Sequence, residues 1–364
     1  MRHRFHSLCP YFAMFPEAFV EKWIPRISNP GEYILDPFCG RGTTPFQALL
    51  MGRRAIASDI NPVAFCVTKA KTNAPTPGSV LRRIAFLERD FFSGDWKQKS
   101  RHLPPFFRMA YQAATLAQLL YLQNQLKWGD SDTDCMLAAL VLGSLHGESS
   151  GSSSYLSNQM PRTISTKPAY SMLFWQNHRL QPPKRDVFAI LRQRLAFRYA
   201  SQPPKRRGLI FQTDMRELPW ISQLRSKPIR CVITSPPYLD VTSFEEDQWL
   251  RLWFLGGAPH PTYKKISMDD RHEKPTSYWK MIADMWRTLG LVLACDANVL
   301  IRIGGKRFLP DELVETLTAS SKVSGRKVKL LRHEVSEIRN KQTDRFRPGS
   351  KGCLFEVDCH YQIS

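Results

Sequence analysis

Short apolar runs that end in polar or turn-forming residues recur along this chain. Tyr33–Asp36, Arg54–Ser58, Leu209–Gln212 and Ile229–Ile233 are too short for helices and read as buried parallel strands. Helix signals lie between them. Pro45–Leu50 opens a helix that stops at Gly52, and Asn61-Pro62 offers an N-cap followed by proline at the first helical position. Later, the pattern predicts a helix over Tyr278–Leu289, a strand over Asn298–Ile303 and a helix over Asp311–Ser320. Two closing strands follow, around Lys327–Val335 and Cys353–Tyr361. The α/β rhythm is interrupted by strong helix formers over Phe106–Leu126 and Asp134–Leu145.

Punctuation divides the chain into three parts. Asn73–Gly78 is rich in proline and glycine, Gly147–Ser154 is a serine-glycine run expected to be mobile, and Pro203-Pro204 precedes Lys205-Arg206-Arg207. We therefore expect a cofactor-binding part at 1–74, a helical and basic insertion at 75–208, and a catalytic part at 209–364. With 364 residues there is room for one large α/β domain plus an accessory element.

Two loops carry the chemistry. In the first, Gly40 and Gly42 permit a tight turn after Tyr33–Asp36, and Asp59 lies nineteen residues past Gly40. That spacing suits an acid facing ribose hydroxyls in a nucleoside-binding βαβ unit. The third glycine of a dinucleotide loop is replaced by Pro45, and no phosphate-binding P-loop is present in this stretch. The lost phosphate grips favour an adenosine cofactor without phosphates, such as S-adenosylmethionine. Asp36 would suit the positive methionine end and Asp59 the ribose. In the second loop, Thr234-Ser235-Pro236-Pro237-Tyr238 leaves a predicted strand, and two prolines cannot continue it. A hydroxyl, a rigid proline pair and an aromatic ring make a holder for a flat, polar, stackable group such as a nucleobase; a chance Pro-Pro turn is the bland alternative.

At this point the residues resemble a known family, the amino-group DNA methyltransferases. Asp36-Pro-Phe-Cys-Gly-Arg-Gly-Thr-Thr44 is similar to their cofactor motif. Thr234–Tyr238 is similar to their catalytic motif, in the Ser-Pro-Pro-Tyr form commonest in cytosine-N4 enzymes. His6–Trp23 resembles the cofactor-cradling segment, Gln212–Arg216 the segment whose acid contacts adenine, and Gln248–Trp253 fits cytosine-N4 members. The resemblance covers the first seventy or so residues and most of the chain after Leu209; the middle matches loosely.

The resemblance implies a Rossmann-like α/β methyltransferase sheet, mostly parallel with a terminal antiparallel hairpin, carrying a mainly helical insertion. It implies S-adenosylmethionine contacts at Asp36, Phe38, Gly40, Gly42, Thr43, Asp59, Asp214 and Thr234. Catalysis would fall to Ser235, Pro236, Pro237 and Tyr238. Ser235 and the Pro236 carbonyl would accept the two amino hydrogens of a flipped-out cytosine, Pro237 would keep the loop stiff, and Tyr238 would stack on the base. Transfer would be direct, since no cysteine nucleophile lies between Thr234 and Tyr238. The expected partner is double-stranded DNA, with a cognate restriction endonuclease as a candidate companion. The expected setting is the cytoplasm of a bacterial or archaeal cell.

Composition agrees with a polyanionic partner. Lys and Arg number 52 against 32 Asp and Glu, a net charge of +20. Between Pro161 and Gly208 eleven basic residues face one acid, interleaved with aromatics. Arg162, Arg179, Lys184, Arg185, Arg192, Arg194 and Arg198 are the DNA-contact candidates there, against the alternative of a solvated face. The insertion is the expected target-recognition region, with Gly256–Ser277 a second candidate. Eight scattered cysteines form no Cys-x-x-Cys and no zinc spacing, so reduced thiols and no metal are expected. No apolar stretch reaches membrane-spanning length, and the start of the chain does not read as a signal peptide. Three rival readings stay open: an adenine-N6 DNA enzyme, an RNA amino-group enzyme, and a catalytically dead DNA-binding protein. Cofactor binding and the methylated product discriminate among them.

Overall fold

Side-chain alternation along the short strands builds two cores, one on each face of a sheet. In β1 (Tyr33–Asp36) Ile34 enters one core and Leu35 the other. In β4 (Ile229–Thr234) Cys231 and Ile233 join Ile34, while Val232 joins Leu35. Successive residues of a strand point to opposite faces, so a strand covered on both sides must be apolar throughout. The Leu35 face is covered by helices Pro275–Val292 and Pro310–Ser320, and the Ile34 face by Glu17–Ile27 and Thr43–Leu50.

The computed structural model describes residues 2–11, 15–148, 154–160, 167–239, 244–262, 274–305, 308–338 and 353–364, with only the backbone described at 244–246. The remaining strands are β2 (Arg54–Asp59), β3 (Leu209–Gln212), β5 (Leu293–Gly304), β6 (Val328–Glu337) and β7 (Phe355–Ile363). Their order across the sheet is β3-β2-β1-β4-β5-β7-β6. Pairings from β3 to β5 are parallel, and β7 is antiparallel to both β5 and β6. This is the expected Rossmann-like sheet with a terminal hairpin. The sheet grows outward from β1 in one direction and from β4 in the other, so β1 and β4 flank its switch point, where ligands of open α/β sheets bind.

The chain forms two compact units. One, Tyr11–Thr68, Pro204–Ser243 and Ile266–Ser364, holds the sheet. The other takes in Met1–Pro10, Lys69–Pro203 and Phe244–Lys265, and its described residues are mostly helical. The helix expected over Phe106–Leu126 is broken in two, Pro105–Ala110 and Ala113–Gln125. At the break the Tyr111 hydroxyl donates to the Leu145 carbonyl at 2.9 Å, and the Ala110 carbonyl accepts from Asn158 N at 2.7 Å. Gln248–Trp253 lies on helix Phe244–Phe254 of this unit, where Trp249 meets Phe106 and Trp253 meets Phe107 at ring separations of 5.1 and 4.5 Å.

In the sheet unit, Gly290 of helix Pro275–Val292 lies against the turn at Ser321–Ser324, and a Cβ there would overlap the Ser324 carbonyl. Alanine normally gains about 1 kcal/mol over glycine inside a helix. Here the overlap outweighs that gain, and Gly290→Ala is expected to cost about 1–3 kcal/mol. The check is the urea midpoint, which should fall.

Candidate active site

Asp36 ends β1 and Thr234 ends β4, on either side of the switch point. The two are 198 residues apart in sequence, yet the Thr234 hydroxyl donates to Asp36 Oδ1 at 2.7 Å. Phe38 N donates to the same oxygen at 3.2 Å. Asp36 is 1% exposed, and among the described residues no Lys or Arg forms an ion pair with it. Burial therefore pushes its carboxyl up to about 7, against the opposing hydrogen bond from Thr234. A buried carboxylate without a cation is costly. It is a place where a positively charged group would be welcomed.

The glycine loop stands beside it. Gly40 and Gly42 have φ of +49° and +73°, the left-handed region that side chains with a Cβ resist. A Cβ on Gly42 would come within 2.5 Å of Thr68 Oγ1, a hydroxyl that donates to the Gly40 carbonyl at 3.0 Å. Gly40 N donates to Asp59 Oδ2 at 2.8 Å, and Asn61 N donates to Oδ1 at 3.0 Å. Asp59 thus staples the loop to the end of β2. Burial lifts its carboxyl to about 6, opposed by these two amides. Helix Thr43–Leu50 starts two residues before the expected Pro45, with Gly42 as its N-cap and no side-chain cap. Thr43 and Thr44 are therefore buried in the first turn rather than capping it. Phe38 is half-buried and packs against the Leu35-side core. A Cβ on Gly40 would lie 3.5 Å from the ring of Tyr11, a neighbour that only its position beside the His6–Trp23 motif residues suggested.

Asp214 differs from Asp36 in its electrostatics. It caps the short helix Met215–Trp220 through Arg216 N at 3.0 Å and receives Arg216 Nε and Nη2 at 3.0 and 3.1 Å. Its charge is already matched. In the Thr234–Tyr238 loop Pro236 is buried, and Ser235, Pro237 and Tyr238 are half-buried. The Tyr238 hydroxyl donates to Glu356 Oε1 at 2.9 Å, and Leu239 bridges to Gly305. The structure brings Asp36, Phe38, Gly40, Gly42, Thr43, Asp59 and the Thr234–Tyr238 loop to the carboxyl ends of the parallel strands.

The basic candidates separate by environment within the helical unit. Arg179 and Lys184 are exposed, whereas Arg162 lies outside the described residues. Arg192 pairs with Glu88, one of its bonds measuring 3.0 Å. Arg185 and Arg194 donate to the carbonyls of Tyr155 and Ser154 at 3.2 and 3.3 Å. Arg198 is buried, its Nη1 donating to the Arg4 carbonyl at 2.8 Å and to Ser7 Oγ at 2.6 Å. Donors spent this way tie the unit together.

Sequence reasoning passed over the acids of β7. Glu356 and Asp358 alternate with Phe355, Val357 and Cys359, and Asp358 pairs across the ladder with Arg302 of β5. Two acids on the polar face of a strand whose other face, Phe355, Val357, Cys359, Tyr361 and Ile363, is apolar were the available signal. A basic cavity of about 620 Å³ also went unread. Tyr33, Arg54, Arg206, Arg207 and Lys227 help to line it, at the amino ends of the strands and opposite the glycine loop. Among the described residues no group of His, Cys, Asp and Glu could hold a metal ion, and no helix is long and apolar enough to cross a membrane.

The raised Asp36 pKa makes a stability prediction. Its neutral form is the comfortable one, so the stability it permits is full below the ordinary carboxylate range and is lost as pH rises through about 7. Asp36→Asn should remove that loss, on the order of 4 kcal/mol at most. Thermal melting of the unliganded protein should show the variant more stable than wild type at pH 8, with the difference shrinking steadily as pH falls toward the ordinary carboxylate range. A lower midpoint for Asp36→Asn at pH 8 would refute the electrostatic argument.

With this geometry in view, comparisons with known proteins become informative. Residues 3–69 match the family model described as DNA methylase, which covers N6 and N4 enzymes. The type II methyltransferase M.MjaII of Methanocaldococcus jannaschii is 38% identical over 66 residues, 18% of this chain and 12% of its own length. M.MvaI of Kocuria varians, another type II methyltransferase, is 28% identical over 121 residues, 30% of this chain and 26% of its own. The DNA adenine methyltransferase YhdJ of Escherichia coli is 46% identical over 46 residues, 13% of this chain and 16% of its own. The matched stretches thus span about a quarter or less of these relatives. Among solved structures, TrmN from Thermus thermophilus superposes with a TM-score of 0.39 at 10% identity, covering 99% of this chain and 52% of that one, a likeness too slight to argue from. The segment that holds Asp36, Gly40, Gly42 and Asp59 is therefore the part of this chain that is similar to the DNA methylase family of N6 and N4 enzymes.

Proposed function

We propose that this protein is a site-specific DNA methyltransferase that moves a methyl group from S-adenosylmethionine to the exocyclic N4 amine of a flipped-out cytosine. The observation that carries the proposal is the Thr234–Asp36 hydrogen bond. It fixes a Ser-Pro-Pro-Tyr loop beside an uncompensated buried carboxylate at the switch point of the sheet.

The residues fit the cofactor. Asp36 offers a negative charge that lacks a cation, and S-adenosylmethionine carries positive groups. Gly40 and Gly42 hold the left-handed turn of the loop, and the missing Cβ of Gly42 lets Thr68 pack against it. Asp59 keeps acceptor capacity for ribose hydroxyls, because each carboxylate oxygen has a second lone pair beyond the amide it already receives. When bound, the cofactor supplies an electrophilic methyl group on sulfur. Everything else is done by this chain. The base amine is a poor nucleophile, because its lone pair is delocalised into the ring. Ser235 Oγ and the Pro236 carbonyl accept its two hydrogens and free the lone pair, while Pro236 and Pro237 hold these acceptors in place beforehand. Asp214 keeps its cap and ion-pair role, beside the adenine contact that the family resemblance implies for it.

Flipping a base out of a duplex costs a few kcal/mol, and stacking on one aromatic ring returns roughly 1–3 kcal/mol. The balance comes from phosphate contacts, which we assign to the exposed Arg179 and Lys184. The biological setting that suits such an enzyme is restriction–modification or related defence, beside a cognate endonuclease. The relative named as an adenine methyltransferase favours N6 of adenine as the second reading, since its likeness lies in the same family.

Incubation with S-adenosylmethionine and unmethylated DNA, then nucleoside mass spectrometry, decides the base. N4-methylcytosine is expected; N6-methyladenine would keep the site and replace the base, and methylated RNA alone would overturn the DNA reading. Ser235→Ala should lose most turnover while keeping cofactor affinity, measured by calorimetry. Replacing Arg179 and Lys184 with alanine should flatten the dependence of log affinity on log salt by up to about 0.9 per lost phosphate contact. Arg198→Ala should instead lower the thermal midpoint, because its partners are the Arg4 carbonyl and Ser7.

A further inference from the structure

The catalytic-loop tyrosine is restrained in three ways. Its hydroxyl donates to Glu356 Oε1 at 2.9 Å. Its ring edge lies over Gly304, where a Cβ would come within 3.0 Å of Tyr238 Cε2. Its successor Leu239 bridges to Gly305, so the backbone is drawn onto the end of β5 as well.

Glu356 is itself held. Its other oxygen accepts from Arg302 Nη1 at 2.9 Å. Arg302 directs Nε and Nη2 at the two oxygens of Asp358, at 2.6 and 2.8 Å, and its guanidinium lies 3.8 Å from the centre of the Phe19 ring. Arg302 and Asp358 are buried. A planar guanidinium gripped at both edges and stacked on a ring has little freedom, and neither does the carboxylate it anchors. A tyrosine needed only for stacking could be a phenylalanine. The hydroxyl has a use here because it is tethered.

We propose that Glu356, backed by Arg302 and Asp358, is a positioning residue that holds the Tyr238 ring ready for the incoming base. This rests on the methyltransferase reading above. Glu356 touches neither base nor cofactor; it acts through Tyr238. Immobilising a free side chain when the base arrives would weaken contact by roughly 3- to 10-fold, and the tether removes that cost beforehand.

The test compares wild type with Tyr238→Phe, Glu356→Ala, Glu356→Gln and the double variant Tyr238→Phe with Glu356→Ala. Single-turnover methyl transfer and cofactor affinity are measured. Fluorine NMR of protein labelled with meta-fluorotyrosine is recorded alongside, the Tyr238→Phe spectrum identifying the Tyr238 signal. Glu356→Ala and Tyr238→Phe should each slow transfer by roughly 3- to 10-fold, with cofactor affinity unchanged. The double variant should be no slower than either, since both break the same link. Glu356→Gln should recover most of the rate, because its amide oxygen can keep Arg302 while its amide N–H donates to the phenol oxygen. The Tyr238 resonance should shift or broaden in Glu356→Ala and return toward wild type in Glu356→Gln. An unmoved resonance in Glu356→Ala, or losses that add in the double variant, would overturn the proposal. A wild type that transfers no methyl group to DNA would sink the functional reading, while the fluorine spectra still decide whether Glu356 fixes the ring. Should Glu356→Ala fail to fold, Tyr238→Phe decides, since it leaves the ion pairs intact; an unchanged transfer rate overturns the proposal.

Discussion

The site is organised around a buried carboxyl that has no cationic partner among the described residues. Asp36 sits at the end of β1 with a hydroxyl and an amide for company. Those two hydrogen bonds lower its pKa, but desolvation wins and raises it to about 7. The residue that supplies the hydroxyl, Thr234, is also the last residue of β4, directly before Ser235-Pro236-Pro237-Tyr238. One hydrogen bond therefore joins the end of β1 to the end of β4 at the switch point of the sheet, where ligands of open α/β sheets bind.

The neighbouring acids show how environment assigns different work to one side-chain type. Asp59 uses both oxygens to pin backbone amides and shapes the glycine loop. Asp214 is matched by Arg216 and caps a short helix. Asp358 is matched by Arg302 inside the β5–β7 ladder. Asp36 and Asp59 both lack a guanidinium partner among the described residues, but Asp59 spends its oxygens on backbone amides, and Asp36 is the more deeply buried, so a cationic ligand suits Asp36.

The same distinction applies to the basic residues. A run of arginines between Pro161 and Gly208 reads as one positive surface, but helix Val187–Tyr199 turns its positions to different surroundings. Arg198 faces inward to the Arg4 carbonyl, Arg192 outward to Glu88, and Arg179 and Lys184 stand in solvent. A helix repeats every 3.6 residues, so residues six apart, such as Arg192 and Arg198, need not share a face.

The local pattern was enough to define the short strands, the Asn61 cap, the glycine turn and the stiff Pro-Pro loop, because each depends on the intrinsic geometry of a few adjacent residues. Asn61 Oδ1 does accept from Val63 N, at 2.8 Å. The helix start at Thr43 was misjudged, because a glycine in the left-handed region can serve as a cap without any side-chain bond. Tertiary structure alone decided which distant residues meet. Thr234 reaches Asp36 across 198 residues, Tyr238 reaches Glu356 across 118, and Arg302 reaches Asp358 through strand register. Whether an acid or an arginine is buried, paired or free depends on those meetings, since its charge responds to surroundings that the chain assembles only when the sheet closes.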